Sequence, residues 1–204
     1  MGEKNPRWRL PGEILLRPLS VYETLKTCSI FSSLSYLLAL GLTTSILSGL
    51  LAALVGVDYQ NPSNCGGSAQ ILAHWFTYTW VGETDLIRSI SLFIVVNEIG
   101  YLLLALMSAP LLAAASFLFV KEAQTELLRS AMSAVCYGMT PGLVLGWVPN
   151  PFFIFGVLAL GYQALALWKM MGLSAAKSVL VCVVWLVVFG VLQDLAVFIF
   201  DFVY

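Results

Sequence analysis

Charged residues are scarce in this chain of 204 residues, where Lys, Arg, Asp and Glu together make up only 10%. A soluble globular domain carries about 25% charged residues, so this composition argues against a fold with a water-facing surface. The formal net charge of −1 also leaves no basic excess of the kind that binds nucleic acid. We therefore expect neither a soluble domain nor a nucleic-acid partner.

The residues and motifs of catalysis and metal binding are also missing. The sequence holds one histidine, His74, and no C-x-x-C pair. It contains no phosphate-binding glycine loop, no H-E-x-x-H helix and no pattern typical of a Ser-His-Asp enzyme. We predict no catalytic residues, no metal site and no cofactor. The four cysteines are interpreted as structural: Cys28, Cys65, Cys136 and Cys182.

Apolar residues, in contrast, make up 60% of the chain and occur in long runs. A helix needs about 20 apolar residues to cross a hydrocarbon core of ~30 Å, and a lipid-exposed backbone must satisfy its own hydrogen bonds. We predict a single all-α membrane domain over residues 1–204, built as a five-transmembrane-helix bundle. The predicted spans are about 30–57, 89–120, 131–148, 152–168 and 178–200.

The second span is long enough to allow another interpretation. Its roughly 31 residues would cover ~46 Å, and Pro110 divides it. Two separate crossings of about 15 residues would each be short, and no polar turn lies between them. We favour one tilted or kinked helix.

Two flanking segments are predicted to lie on the membrane surface. Residues 1–27 mix cations with apolar residues, which is typical of a cytoplasmic interfacial segment. Residues 71–81 are too short to span and rich in aromatic residues, which favours an external interfacial helix. The pattern leaves open whether residues 71–81 are interfacial or re-entrant.

The distribution of cations predicts the orientation. With five spans, nine of the ten Lys and Arg residues fall on one side of the membrane, and only Arg88 falls on the other. The positive-inside rule then places the N-terminus in the cytoplasm and the C-terminus outside.

Small residues recur at four-residue spacing in the first span, at Gly41, Ser45, Gly49 and Ala53. Such a helix-packing face lets two membrane helices approach closely. The partner helix could belong to the same chain or to a second copy.

Polar pairs occur inside two spans: Asn97-Glu98 in the second and Gln193-Asp194 in the fifth. Their distances from the outer helix ends are similar, ~14 and ~10 Å at 1.5 Å per residue. The two carboxylates could share a proton or bind a cation. Alternatively, each is satisfied separately, or they contact a partner subunit.

In the third span, Tyr137 and Pro141 are one turn apart. Proline cannot donate to the carbonyl four residues earlier, so a kink is predicted between them.

Three segments resemble the Yip-domain family of five-span membrane proteins, named for interaction with Ypt/Rab GTPases, and especially its compact prokaryotic members. The segments are Arg17–Leu25, similar to the proline-started entry to the first span; Leu127–Pro141, similar to a basic helix followed by Tyr-x-x-x-Pro; and Gly172–Lys177, similar to the connection before the last span. The resemblance implies a five-helix membrane scaffold without known chemistry, in the plasma membrane of a prokaryote. The long acidic N-terminus of the eukaryotic members is missing, which argues against a GTPase partner.

Two functions are expected from these features. The first is a non-enzymatic scaffold or accessory subunit that packs against itself or a membrane-protein partner within the lipid bilayer. The second is a small transporter, or an ion- or proton-conducting protein, that uses the intramembrane carboxylates.

Overall fold

The computed structural model describes residues 9–57, 86–120, 124–148 and 153–203. Within these ranges all regular structure is helical and none is strand, which confirms the all-α prediction. The predicted external helix at 71–81 lies outside the described residues. The helices are α1 (Leu10–Leu16), α2 (Pro18–Leu25), α3 (Ile30–Leu50) with a π-helical turn (Leu51–Val55), α4 (Leu86–Phe117), α5 (Gln124–Gly138), α6 (Thr140–Leu145), α7 (Phe153–Met170) and α8 (Ala175–Val203).

The first two helices are short, and each has a proline in its first turn. Proline fits there because the N–H that it lacks would have no helical partner. Arg17, with φ −141° and ψ 56°, separates the two helices. Ile14 and Tyr22 are fully buried, and the helices pack against α6 and α7. Residues 10–25 therefore contribute to the core. The predicted position of residues 1–27 at the membrane surface stays a prediction.

Helix α3 begins at a well-formed cap. The side chain of Ser29 accepts a hydrogen bond of 3.1 Å from the backbone N–H of Ser32, which satisfies one of the free donors of the first turn. The π-helical turn ends at Gly56, whose φ of +72° lies in the left-handed region that glycine adopts without strain. The helical segment closely matches the predicted span of 30–57.

Helix α4 is continuous over 32 residues and contains Pro110. At 1.5 Å per residue it extends about 48 Å. Together with the segment Ile30–Val55, it is one of two described helices long and apolar enough to cross a membrane by length and composition. In their most apolar stretches only 33% and 22% of the residues are buried, whereas the core helix of a soluble protein is mostly buried.

The predicted third span forms two helices, α5 and α6. Helix α5 begins at Gln124, in residues that the sequence pattern assigned to a connection before position 131. The earlier start has a local cause, because Glu126 stands in the first turn and pairs with Arg129 three residues later. A break at Met139 separates α5 from α6.

Helices α7 and α8 complete the described chain. Helix α7 ends two residues after the predicted span of 152–168, and α8 extends three residues beyond each end of the predicted span of 178–200. Gly172, with φ +66°, lies in the turn between them. The Nζ of Lys169 lies 2.8 Å from the Glu23 carboxylate, and the Nζ of Lys177 lies 5.5 Å from the centroid of the Phe119 ring. The first contact joins α2 to the C-terminus of α7. The second joins the end of α4 to the start of α8.

Helix α3 occupies a central place in the bundle. It packs against α4, α5 and α6, while α7 packs against α2, α5, α6 and α8, and α8 also contacts α4. The main hydrophobic core lies among these helices and includes Leu37, Ala105, Leu112 and Val135.

The surface of the bundle differs from that of a water-soluble protein. Many large apolar side chains are exposed on α3, α4 and α8, including Phe31, Ile99 and Val187. The interior contains hydroxyl and amide side chains in addition to the hydrophobic core. The buried polar residues are Ser33, Thr44, Ser45, Ser48, Asn97, Ser108, Ser116, Ser130, Ser133, Thr140, Gln163 and Ser178.

Candidate functional site

The interface between α3 and α4 brings two of the predicted features together. The helices are antiparallel, because a Cβ built on Gly41 would lie 2.9 Å from the Tyr101 ring and one built on Gly49 would lie 3.4 Å from the Phe93 ring. Gly41, Ser45 and Gly49 are all buried on this face of α3. The fourth small residue, Ala53, lies in the π-helical turn and is half-buried. The face predicted for helix packing is thus occupied by α4 of the same chain at three of its four positions.

The carboxylate of Glu98 lies in a notch on this face. The Ser45 hydroxyl donates a hydrogen bond of 3.0 Å to Glu98 Oε1. A Cβ on Gly41 would lie 3.0 Å from Oε1 and 3.4 Å from Oε2. Because Gly41 has no side chain, both carboxylate oxygens can approach the backbone of α3. We call this arrangement of Gly41, Ser45 and Glu98 the carboxylate notch.

Asn97 lies beside the carboxylate notch. Its neighbours one turn away on α4 are Phe93 and Tyr101, which face Gly49 and Gly41 of α3. Ser45 stands midway between these glycines, so Asn97 and Ser45 occupy the same level of the interface. Asn97 is 0% exposed, and its Nδ2 and Oδ1 have no hydrogen-bond partner among the described residues. An unpaired buried amide costs about 1–3 kcal/mol on protein mutational scales.

The second predicted polar pair, Gln193 and Asp194, lies in helix α8. The side chains of both residues lie outside the described part of the structure. Helix α8 contacts α4, so the two helices that carry the predicted carboxylates are neighbours. The pairing of Glu98 with Asp194 stays a prediction.

The predicted kink at Tyr137 and Pro141 lies where α5 ends and α6 begins. Pro141 cannot donate to the Tyr137 carbonyl. Two hydroxyl groups donate to this carbonyl instead: that of Thr140 at 2.6 Å and that of Tyr22 at 3.4 Å. Burial raises the pKa of the Tyr22 phenol, which keeps the group protonated as a donor. The break in the helix therefore connects α2 to α5.

Further hydroxyl groups join α3 to α5 and α6. The Ser33 and Ser133 hydroxyls lie 2.9 Å apart, and the Thr44 hydroxyl donates to the carbonyl of Leu143. The Tyr36 hydroxyl lies 2.9 Å from that of Thr140. Sequence reasoning missed these pairs, because each consists of residues about 100 positions apart.

Replacing Thr140 with valine is expected to lower the free energy of unfolding by about 1 to 3 kcal/mol, the usual cost of leaving buried polar groups unpaired. The variant keeps the side-chain shape but removes the strongest donor to the Tyr137 carbonyl and the partner of Tyr36. Thermal unfolding in detergent measures the loss. Thr43→Val is the control, since the Thr43 hydroxyl is exposed and bonds only to its own helix at the carbonyl of Ala39. Equal losses in both variants would contradict a role for Thr140 at the helix break.

The described residues contain no group of three or more His, Cys, Asp and Glu side chains that could hold a metal ion. Cys136 and Cys182 are buried free thiols, and Cys28 is a half-buried one. The chemistry at the carboxylate notch is that of one acidic group surrounded by a hydroxyl, an amide and apolar side chains.

Comparison with known proteins identifies no relative from which a role could be inferred. No protein-family model matches this chain, no curated protein matches it, and no solved structure matches it.

Proposed function

We propose that this chain is a non-enzymatic, five-span membrane protein that acts as a scaffold or accessory subunit by packing against itself or other membrane proteins. The observation that carries the proposal is the exposure of large apolar side chains on α3, α4 and α8 around a partly polar interior. Exposed apolar patches of this extent mark membrane or protein contact surfaces.

Five crossings agree with the lengths of the helices. The two longest apolar segments contain 26 and 32 residues. Helix α7 contains 18 residues, which corresponds to about 27 Å and thus to most of the hydrocarbon thickness. Helices α5 and α6 together cover residues 124–145, with a single break at Met139 between them. Helix α8 is long enough for a fifth crossing, with 29 residues.

Labelling of single cysteines tests the proposed topology. We expect the native Cys65 to react with an impermeant maleimide added from outside. Cysteines placed by Glu122→Cys and Ala176→Cys should react only from the cytoplasmic side, because the nine-to-one division of cations places both connections there. Labelling of positions 122 and 176 from opposite faces would refute the five-span order.

Helix α8 offers an exposed apolar surface for a membrane partner. Val179, Val183, Val187 and Val191 form one exposed stripe, each more than half exposed. The small-residue face of α3, in contrast, is already covered by α4. Packing with a second protein therefore requires a different surface, and we infer that the valine stripe of α8 contributes to it.

Native mass spectrometry in mild detergent and cross-linking in membranes test the scaffold proposal. We expect a homo-oligomer or a co-purifying membrane protein. Val183→Cys and Val187→Cys should form cross-links, while the buried native Cys182 one position away should not. A strictly monomeric protein without a partner would argue against this function.

The carboxylate notch favours a second candidate, a small transporter or an ion- or proton-conducting protein that uses Glu98 and Asp194. A carboxylate within a membrane span marks an ion or proton path in many transporters. Flux into liposomes, compared between the parent protein and the Glu98→Gln and Asp194→Asn variants, tests this candidate. Absence of flux in the parent, or unchanged flux in the double variant, would eliminate it.

The resemblance to the Yip-domain family agrees with the scaffold proposal and with the plasma membrane of a prokaryote as the location. It rests on short segments, of which Leu127–Pro141 includes the helix break described above. A GTPase partner is not part of the proposal.

A further inference from the structure

We propose that the carboxylate notch and Asn97 form a binding site for a single monovalent cation, either Na⁺ or a proton. The inference goes beyond the scaffold function, since it requires neither a partner nor transport. It concerns the level of the α3–α4 interface at which the Ser45 hydroxyl bonds to Glu98 and the buried Asn97 precedes Glu98 on α4.

The oxygen donors define the ligand class. The Ser45 hydroxyl oxygen lies 3.0 Å from a carboxylate oxygen of Glu98, and the proposal adds the amide oxygen of Asn97 as the third kind of donor. Carboxylate, hydroxyl and carbonyl oxygens are ligands for hard cations rather than for transition metals. The unpaired Asn97 amide, 0% exposed, is the observation that points to a missing partner. Buried polar side chains nearly always have a protein or water partner.

The charge at the site selects a monovalent cation. Glu98 supplies one negative charge, and the ion pairs identified among the described residues involve other carboxylates, those of Glu23 and Glu126. One bound Na⁺ or one proton makes the site neutral. A divalent cation would leave an excess positive charge in a medium of low dielectric constant, where uncompensated charge is costly.

The backbone at Gly41 shapes the site. Both oxygens of the Glu98 carboxylate lie within contact distance of the space that a Cβ would fill. The glycine holds α3 and α4 close enough for Ser45 to reach the carboxylate. The same small-residue face that packs the helices therefore also creates room for a carboxylate between them.

Thermal unfolding of the purified protein in detergent, with NaCl replacing choline chloride at constant ionic strength and pH, tests the site. A ligand that binds only the folded state stabilises it by RT ln(1 + [L]/Kd). If Na⁺ is the ligand, the unfolding midpoint rises by about 3 to 6 °C at ten times the Kd. The rise should disappear in Glu98→Gln and remain in Glu126→Gln, which changes an exposed carboxylate on α5.

Asn97→Leu separates a ligand-binding role from a structural one. This variant removes the unpaired amide, so it should fold at least as well as the parent in choline chloride and lose the response to Na⁺. A response to Na⁺ that survives Asn97→Leu would overturn the assignment of Asn97 to the site.

Modification by a hydrophobic carbodiimide distinguishes the two cations, because this reagent reacts with protonated carboxyl groups in apolar surroundings. Peptide mass spectrometry should locate the adduct on Glu98. Protection by NaCl identifies Na⁺ as the ligand, and modification that NaCl does not change identifies a proton. The proposal would be overturned if Glu98 were not modified and Na⁺ did not stabilise the protein. Because these measurements use the isolated protein, their failure is distinguishable from the absence of a membrane partner.

Discussion

Replacing Ile14 with alanine is expected to lower the free energy of unfolding by about 2 to 5 kcal/mol, the usual cost of truncating a large core side chain. Ile14 belongs to a helix of only seven residues, but it is fully buried in the main hydrophobic core. The loss corresponds to a decrease of about 4 to 20 °C in the unfolding midpoint. A thiol-reactive fluorophore measures it, since Cys136 and Cys182 are buried and react only when the protein unfolds.

Leu16→Ala is the matched control for Ile14→Ala. Leu16 lies in the same helix and is 83% exposed. Its replacement by alanine removes as many side-chain atoms as Ile14→Ala does. Its replacement should change the free energy of unfolding by less than about 0.5 kcal/mol. Similar small effects of both variants would show that α1 does not pack in the core.

Hydropathy alone predicted the long helices, because a run of apolar residues long enough to cross a membrane has few alternatives to a helix. The segments at Ile30–Val55 and Leu86–Phe117 agree with the predicted spans to within a few residues. The packing of residues 10–25 on the core could not be predicted in this way. Alternating cations and apolar residues are typical both of a helix on a membrane surface and of a helix packed on a bundle, and only tertiary contacts reveal the packing.

The residues of the carboxylate notch could be predicted, but the contact between them could not. The small-residue spacing singled out Gly41 and Ser45, and the charge within a long apolar run singled out Glu98. Whether these residues meet depends on the register between α3 and α4, and a shift of one turn would place Glu98 beside different residues. Local sequence does not specify that register.

The donors at the helix break were missed although a signal for one of them existed. Pro141 predicts that the Tyr137 carbonyl lacks its helical donor, and Thr140 stands three residues after that carbonyl. Threonine hydroxyls commonly donate to a carbonyl three or four residues earlier. Tyr22, the second donor, is 115 positions from Tyr137, and no local pattern indicates it.

Replacing Gly138 with alanine is expected to lower the free energy of unfolding by about 1 to 3 kcal/mol, the usual cost of adding atoms to a well-packed interface. Gly138 ends α5 where that helix meets α7. A Cβ at this position would lie 2.8 Å from Gln163 Cα and 3.3 Å from Gln163 N. These are backbone atoms, so the clash cannot be relieved by rotating a side chain. The two helices must move apart, which weakens the buried contacts of Ala134 and Leu167 with the rest of the core.

Gly161→Ala provides the opposite expectation within α7. A Cβ on Gly161 has no atom within 4 Å, and alanine is favoured over glycine inside a helix by about 0.8 to 1 kcal/mol. This variant should therefore unfold at a higher temperature than the parent protein, while Gly138→Ala unfolds at a lower one. Opposite signs of the two shifts would report the close approach of α5 and α7 at Gly138. Equal shifts of the unfolding midpoint in the same direction would contradict a close contact between Gly138 of α5 and Gln163 of α7.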